Sequence, residues 1–412
     1  VIALLVTAAL VFRLALAWVI PPFQAPDEQA HFRFVEYVAE HGALPVQPPR
    51  DLHRDLEFWP QYYQPPLAYL LFVPMERALA AAGLEREDRL RGVRAANAVI
   101  GAAGVALAYL ATARMTPIGD PRRVLVGVVI ALVPGFAGNA ASVDNDALAN
   151  LLAIALWIPL LSPNRRRGAW IAGVIFGAAC NAKLTLLALS PLLLLVPWLS
   201  RREDPRGALR FAVIAGGVAG AMLMPWLIRN ANVYGDPLAI GVGSMSFEWL
   251  SKVIPPEKVV ELQQVRILHA WNVFWGRFGV YHNLGWIPIP LVWSTLTAAA
   301  LAGWIRGRSL WDDLEVRGLA LLAAPLLASA GMAWFSIRYY GGWQGRYLYT
   351  AMLPIAVLLA CGWMRVAPDR RAWTTTWILT VGLVVLDLAL VLALARFWSV
   401  TPPLRWGFAT WI

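Results

Sequence analysis

The sequence predicts an all-α polytopic membrane bundle of about eleven spans, with amphipathic helices in its outer-face loops. Three observations carry that expectation. The 412-residue chain is 59% hydrophobic and only 15% charged, against about 45–50% apolar and about 25% charged residues in soluble domains. Apolar runs near twenty residues recur from end to end, each long enough to cross a hydrocarbon core of ~30 Å as a helix. Arginines cluster in alternate short loops, the pattern that marks cytoplasmic segments.

The spans fall at roughly 1–20, 93–113, 123–141, 146–161, 168–182, 184–199, 210–228, 287–305, 318–335, 347–364 and 373–396. The first residue is Val, so the native N-terminus is expected upstream, and no small-residue cleavage site follows the opening run, which reads as a retained span. With the N-terminus inside, the loops 114–122, 162–167, 200–209, 306–317 and 365–372 face the cytoplasm. They carry Arg114, Arg122, Arg165, Arg166, Arg167, Arg201, Arg202, Arg206, Arg306, Arg308, Arg365, Arg370 and Arg371. The long loops 21–92 and 229–286 then lie outside, the periplasmic face if the membrane is a bacterial inner membrane. "PPLAYLLFVPMERALAAAG" (65–83) is apolar but contains Glu76 and Arg77. Counted as a span it would invert every later loop, so it reads as interfacial or re-entrant. No repeat interrupts the chain, and 1–412 is expected to form one membrane domain. Cys180 and Cys361 lie in apolar runs and read as small core residues. The net charge of +10 belongs to cytoplasmic loops and lipid surfaces rather than to nucleic-acid binding.

The first outer loop opens with "PPFQAPDEQAHFRFVEYVAEHG" (21–42). Pro26 and Asp27 form a helix start with a carboxylate suited to the cap. Ala30, Phe34 and Val38 recur at helical spacing, and Gly42 ends the run. Asp27 and His31 are four apart, Glu28 and His31 three apart, so the three are expected on one face of an amphipathic helix along the membrane surface. Taken alone, capping explains them.

The other unusual polar residues gather at the outer ends of the spans. "NAASVDNDALAN" places Asp144, Asn145 and Asp146 in one turn, and "ACNAKLTLLALSP" places Asn181 and Lys183 in another. "PWLIRNANVYGDPL" contributes Arg229, and "WNVFWGRFGVYHNLGW" contributes Trp271, Trp275, Arg277, His282 and Asn283. "YYGGWQGRYLYT" contributes Trp343, Gln344, Arg346 and Tyr347. Helix capping, snorkelling and an aromatic belt explain each singly. Together they describe carboxylates, phosphate-type cations and ring faces converging on one side of the membrane, and ionisable groups at membrane depth are costly and usually functional.

These residues resemble the glycosyltransferase-C superfamily of membrane enzymes, which includes protein O-mannosyltransferases, aminoarabinose transferases of lipid A and family-39-like bacterial relatives. "PDEQAHF" resembles the acidic first-loop motif, and "YQPPLAYLL" (63–71) resembles an HPPLYY-type element. "NDALAN" (145–150), "RNANVYGDPL" (229–238) and "QGRYLYTAMLP" (344–354) resemble a bacterial branch with domains of unknown function. The resemblance implies transfer of a sugar from a polyprenyl-phosphate donor to an acceptor hydroxyl at the outer face, with inversion. It implies that Asp27 is the base or a metal-associated carboxylate, with Glu28 beside it, and that Asp146 or Asp144 is the second acidic position. The HPP histidine is Gln64 here, and no large soluble C-terminal domain to hold a peptide is expected; both departures weaken the match to protein mannosylation in particular.

Such transfer needs a base and neutralisation of a departing phosphate. Arg346, Lys183, Arg229 and Arg277 are the candidate cations. A divalent ion held by Asp27 or Glu28 with His31, or with Asp146, is the alternative; no organic cofactor is expected. Tyr62, Tyr63, Gln64, His282, Gln344 and Tyr347 are candidate sugar or lipid contacts. The acceptor is a glycan, lipid or protein hydroxyl. Two other functions remain open: a transporter or flippase of a lipid-linked substrate, which calls for broken helices and charge at mid-membrane, and a non-catalytic lipid-binding subunit of the same fold.

Overall fold

The computed structural model describes residues 1–48, 60–162, 164–199, 205–243, 255, 266–276, 288–306, 318–339, 344–367 and 371–401. Among them every regular element longer than an isolated bridge is helical. In chain order these are α1 (Ile2–Val19), α2 (Glu28–His41), α3 (Leu67–Ala81), α4 (Arg86–Thr112), α5 (Pro121–Leu132), α6 (Pro134–Asn139), α7 (Asp146–Leu160) and α8 (Arg165–Ala182). A 3-10 turn (Leu184–Leu189) leads into α9 (Leu192–Leu199), followed by α10 (Pro205–Tyr234), α11 (Ile240–Gly243), α12 (Arg266–Trp275), α13 (Ile289–Arg306) and α14 (Gly318–Arg338). A second 3-10 turn (Gly345–Ala351) leads into α15 (Met352–Val366), and α16 (Ala372–Val400) closes the bundle.

Six of the described helical segments are long and apolar enough to cross a membrane: Ile2–Val19, Arg86–Thr112, Pro205–Tyr234, Leu319–Arg338, Gly345–Val366 and Ala372–Val400. The other expected spans correspond to helices that are shorter, broken or less apolar: α5 with α6, α7, α8, the first 3-10 turn with α9, and α13. The bundle packs as lipid-embedded helices do, with small residues at the crossings. In α8, for example, a Cβ on Gly173 would run into Ala215 and Val218 of α10, so the two backbones touch there.

Charge is also buried inside the bundle. Arg13 of α1 is fully buried and hydrogen-bonds the carbonyls of Ala131 at 3.0 Å and Ile130 at 2.9 Å. The cause lies four residues on: Pro134 has no N–H to return to Ile130, so α5 ends and α6 begins anew. Arg13 takes over the carbonyls that the break exposes, with its charge at the negative end of the α5 dipole. Asp387 of α16 is also buried.

The first outer loop differs from a helix resting on lipid. Phe32, Phe34, Val35 and Val38 of α2 pack with Tyr69, Phe72 and Val73 of α3, Leu90 and Val93 of α4, and Val143. The apolar face of α2 is therefore covered by protein, in a second, smaller core. The 15-residue α3 reaches only about 22 Å at 1.5 Å per residue, short of a crossing. Its Glu76 is buried and hydrogen-bonded by Arg89 of α4 at 2.8 Å. That pair explains how a charged residue sits in so apolar a helix.

Candidate active site

Five ionisable side chains from four separate parts of the chain meet where α2, α7, α8 and the second 3-10 turn come together: Asp27, Asp144, Asp146, Lys183 and Arg346. Asp27 precedes α2 in the left-handed conformation (φ +60°, ψ 0°), which is uncommon outside glycine and concentrates at functional sites. The expectation that its carboxylate caps α2 is corrected here: the side chain makes no capping hydrogen bond. The left-handed turn aims it across the cleft instead, where Oδ2 pairs with the Arg346 guanidinium. Its side chain remains 38% exposed although protein surrounds it, as expected for a group on the wall of a cleft.

Arg346 stands in the second 3-10 turn, and that turn is held tightly. A Cβ at Gly345 would overlap the backbone of Ala270 and Phe274 in α12, so only glycine permits this approach. The Tyr349 hydroxyl donates to the Phe274 carbonyl at 2.9 Å. Arg346 thus pivots from a fixed backbone. Its Nε lies 3.9 Å from Asp146 Oδ2 and has no hydrogen-bond partner among the described residues.

Asp146 begins α7, but capping falls to Asp144, whose Oδ1 accepts from the backbone N–H of Asp146 at 2.9 Å and of Ala147 at 3.3 Å. Relieved of that role, Asp146 pairs through Oδ1 with Lys183, and its Oδ2 accepts from Asn139 Nδ2 at 3.2 Å. Lys183 ends α8 in extended conformation and lies over the Tyr347 ring at 5.0 Å. Asn145 holds that end of α8 by donating to the Ala182 carbonyl at 3.0 Å, and it also donates to Gln64 Oε1 at 3.3 Å. The glutamine that replaces the expected histidine therefore touches the second acidic turn.

Glu28 points the other way. It is fully buried and clamped by Arg94 of α4, with Nε to Oε1 at 2.7 Å and a terminal nitrogen to Oε2 at 2.6 Å. The N–H groups of Phe23 (3.0 Å) and Val143 (2.9 Å) complete its shell. Arg94 spends its remaining donors on the carbonyls of Ala17, Ile20 and Pro21. Adjacent in sequence, Asp27 and Glu28 are divided between the cleft and a lock that ties the first outer loop to the turn carrying Asp144 and Asp146.

His31 is buried beside the cluster, its Nδ1 2.7 Å from the Tyr69 hydroxyl. Burial pushes its pKa down to about 4, only partly offset by Asp27 and Asp146, so the ring is neutral at pH 7. Burial raises the Asp27 carboxyl, but Arg346, His31 and Lys183 outweigh it and leave the group below its usual range. Burial and the neighbouring Asp146 carboxylate push Asp144 up, against the pull of Lys183 and Arg346.

Some expected residues do not join the cluster. Arg229 donates to the Pro45 carbonyl at 2.6 Å and to the Tyr234 hydroxyl at 3.1 Å, clamping the first outer loop to α10. Tyr62 packs edge-on to Phe34 and donates its N–H to Gln47 Oε1 at 2.8 Å. The Tyr63 ring lies against Gly243 of α11. Gln344 leads into the second 3-10 turn in extended conformation without capping it. Arg277, His282, Asn283 and Trp343 lie outside the described residues. Arg94 and Asn139 are not among the residues that the sequence singles out; Arg94, a cation just inside an apolar run, leaves a visible signal there. Among the described residues no three His, Cys, Asp or Glu side chains gather as metal ligands.

No family model matches the chain. Over 176 residues it is 28% identical to undecaprenyl phosphate-alpha-4-amino-4-deoxy-L-arabinose arabinosyl transferase 2 of Pseudomonas fluorescens, covering 41% of this chain and 29% of that protein. The corresponding transferase of Pseudomonas savastanoi pv. phaseolicola is 26% identical over 175 residues, 41% of this chain and 31% of that one. The chain's match thus spans less than a third of the length of these curated relatives. Among solved structures, it resembles ArnT from Cupriavidus metallidurans bound to undecaprenyl phosphate, with a TM-score of 0.56 and 18% identity over 91% of this chain and 62% of that one. It also resembles the Archaeoglobus fulgidus oligosaccharyltransferase complex with Zn and sulfate, with a TM-score of 0.52 and 14% identity over 95% of this chain and 53% of that one. The bundle of this integral membrane protein has the glycosyltransferase-C fold that ArnT and the archaeal oligosaccharyltransferase share.

Proposed function

We propose that the protein is a membrane glycosyltransferase that moves a sugar from a polyprenyl-phosphate donor to an acceptor hydroxyl on the outer face of a bacterial inner membrane. The observation that carries this reading is the Asp27–Arg346 pair set against Asp146 and Lys183 in one cleft. It supplies a partly exposed carboxylate within reach of two cations. The arabinosyl transferase relatives and the undecaprenyl-phosphate-bound ArnT support the donor class.

In the proposed reaction the acceptor oxygen attacks the anomeric carbon, the bond from that carbon to the phosphate oxygen breaks, and Asp27 takes the hydroxyl proton. The polyprenyl phosphate departs with the electron pair. Attack opposite the leaving group inverts the anomeric centre. Arg346 and Lys183 hold the phosphate, Arg through a planar fork and Lys as a point charge, and donors aimed at developing charge lower the barrier. Asp146 orients both cations. Glu28 acts through Arg94 and Val143 as a positioning residue. A resident divalent ion does not fit this reading, because Asp27 and Asp146 already face Arg346 and Lys183, and the ion would have to displace both cations. His31, whose Nδ1 is engaged with the Tyr69 hydroxyl, lines the cluster as a hydrogen-bonding wall.

A flippase reading draws on the buried Arg13 and Asp387, but Arg13 is consumed by the broken α5. The test is direct. Purified protein incubated with an undecaprenyl-phosphate-linked sugar and envelope lipid should release undecaprenyl phosphate and yield a glycosylated product by mass spectrometry. Donor binding without release would favour the non-catalytic subunit.

A further inference from the structure

We infer that Arg346 is shared in time between Asp27 and the donor phosphate, so that the arriving phosphate itself frees Asp27 to act as base. This regulates the site proposed above and rests on its taking a polyprenyl phosphate.

The geometry points to exchange rather than simultaneous service. Arg346 meets Asp27 through a terminal guanidinium nitrogen, one of the nitrogens a phosphate would engage in a two-pronged bond. Its Nε is buried, lacks a hydrogen-bond partner among the described residues and lies 3.9 Å from Asp146 Oδ2, so the guanidinium keeps a donor to spare. The backbone beneath it cannot follow a ligand, since Gly345 is pressed against α12; the side chain must swing. Asp27 tolerates the loss of its partner, because at 38% exposure water replaces the guanidinium. Lys183 stays with Asp146 and holds the phosphate from there.

A carboxylate paired with a guanidinium is a poor proton acceptor, because the cation stabilises its charged form. Freed of Arg346, Asp27 becomes more basic at the moment when a donor is in place. The cycle also closes. Once Asp27 has taken the acceptor proton it is neutral and cannot draw Arg346 back; when that proton leaves to solvent, the restored carboxylate competes for Arg346 and helps to expel the product phosphate.

Competition makes an unusual demand: damaging the base should improve lipid binding. Affinity for undecaprenyl phosphate would be measured on the purified full chain in detergent. Asn is one of the non-glycine residues that tolerate the left-handed conformation, so Asp27→Asn should fold. It should bind about tenfold more tightly than the wild type, an ordinary size for coupling between adjacent charges. Asp27→Glu, which keeps the charge, should stay within about twofold. In Arg346→Gln the gain from Asp27→Asn should vanish; Arg346→Lys serves if the glutamine variant does not fold, and should shrink it. An unchanged or weakened affinity in Asp27→Asn, with lipid still bound by the wild type, overturns the exchange but not the proposed function. Failure of every variant and the wild type to bind undecaprenyl phosphate overturns both.

Discussion

Replacing Glu28 by Gln tests whether the lock between the first outer loop and the turn carrying Asp144 and Asp146 is structural. The carboxylate is fully buried and its two oxygens accept four hydrogen bonds, two from Arg94 and one each from the N–H groups of Phe23 and Val143. Glutamine keeps the shape but removes the charge and one acceptor, so the buried Arg94 guanidinium loses its counter-ion. Breaking a buried pair in this way costs about 3–5 kcal/mol. The Asp88–Arg91 pair near the start of α4 is the natural control, with side chains 53% and 34% exposed, and removing such a surface pair costs less than about 1 kcal/mol. Thermal unfolding followed by tryptophan fluorescence in one detergent should therefore separate Glu28→Gln from Asp88→Asn. Equal, small shifts in the two variants would refute the lock. Replacing Glu28 and Arg94 together by Leu and Met should recover part of the loss, since apolar residues of similar volume often match a buried pair.

Four further outcomes follow from the same geometry. Gly345→Ala should push the second 3-10 turn off α12 and cut undecaprenyl-phosphate affinity with little change in helical circular dichroism; wild-type affinity would show that the turn does not need its close approach. Lys183→Met should lower turnover by roughly 10²–10³-fold, the usual cost of losing one charge-stabilising donor, while Lys183→Arg should retain part of it; turnover with the undecaprenyl-phosphate-linked sugar reads both. His31 has its folded pKa depressed to about 4, so the unfolded chain takes up a proton near pH 6.5 and the folded chain does not until pH falls well below that. The folded state should lose roughly 3 kcal/mol between pH 6.5 and pH 4 from this group alone, and the unfolding temperature of His31→Gln should fall less steeply across that window; identical slopes would show that His31 is not held neutral. Chelators should leave turnover unchanged, and loss of activity restored by added divalent ion would reinstate a metal.

The sequence carried the helical membrane class, the order of elements and the convergence of Asp27, Asp146, Lys183 and Arg346, because apolar period and arginine placement fix which loop ends share a face. It could not divide Asp27 from Glu28. That division depends on Arg94, 66 positions away from Glu28, and on a left-handed turn that places neighbouring side chains on opposite sides. Helix chemistry predicted that Asp27 would cap α2, and tertiary pairing with Arg346 overrode it. Capping at the second turn passed from Asp146 to Asp144 for a similar reason, since Asp146 is claimed by Lys183. Arg13 was illegible because its partners are carbonyls released by Pro134, a proline that reads in sequence as a break but not as a site needing a cation. Arg229 looked like a phosphate ligand because its charge is visible, whereas the Pro45 carbonyl that occupies it is not.

The most direct test of the central claim is the turnover of Asp27→Asn with an undecaprenyl-phosphate-linked sugar at saturating donor. A general base contributes about 10²–10⁴-fold, so the variant should lose at least about a hundredfold in sugar release while still binding the lipid phosphate. Near-normal release would remove Asp27 as the base and contradict the account.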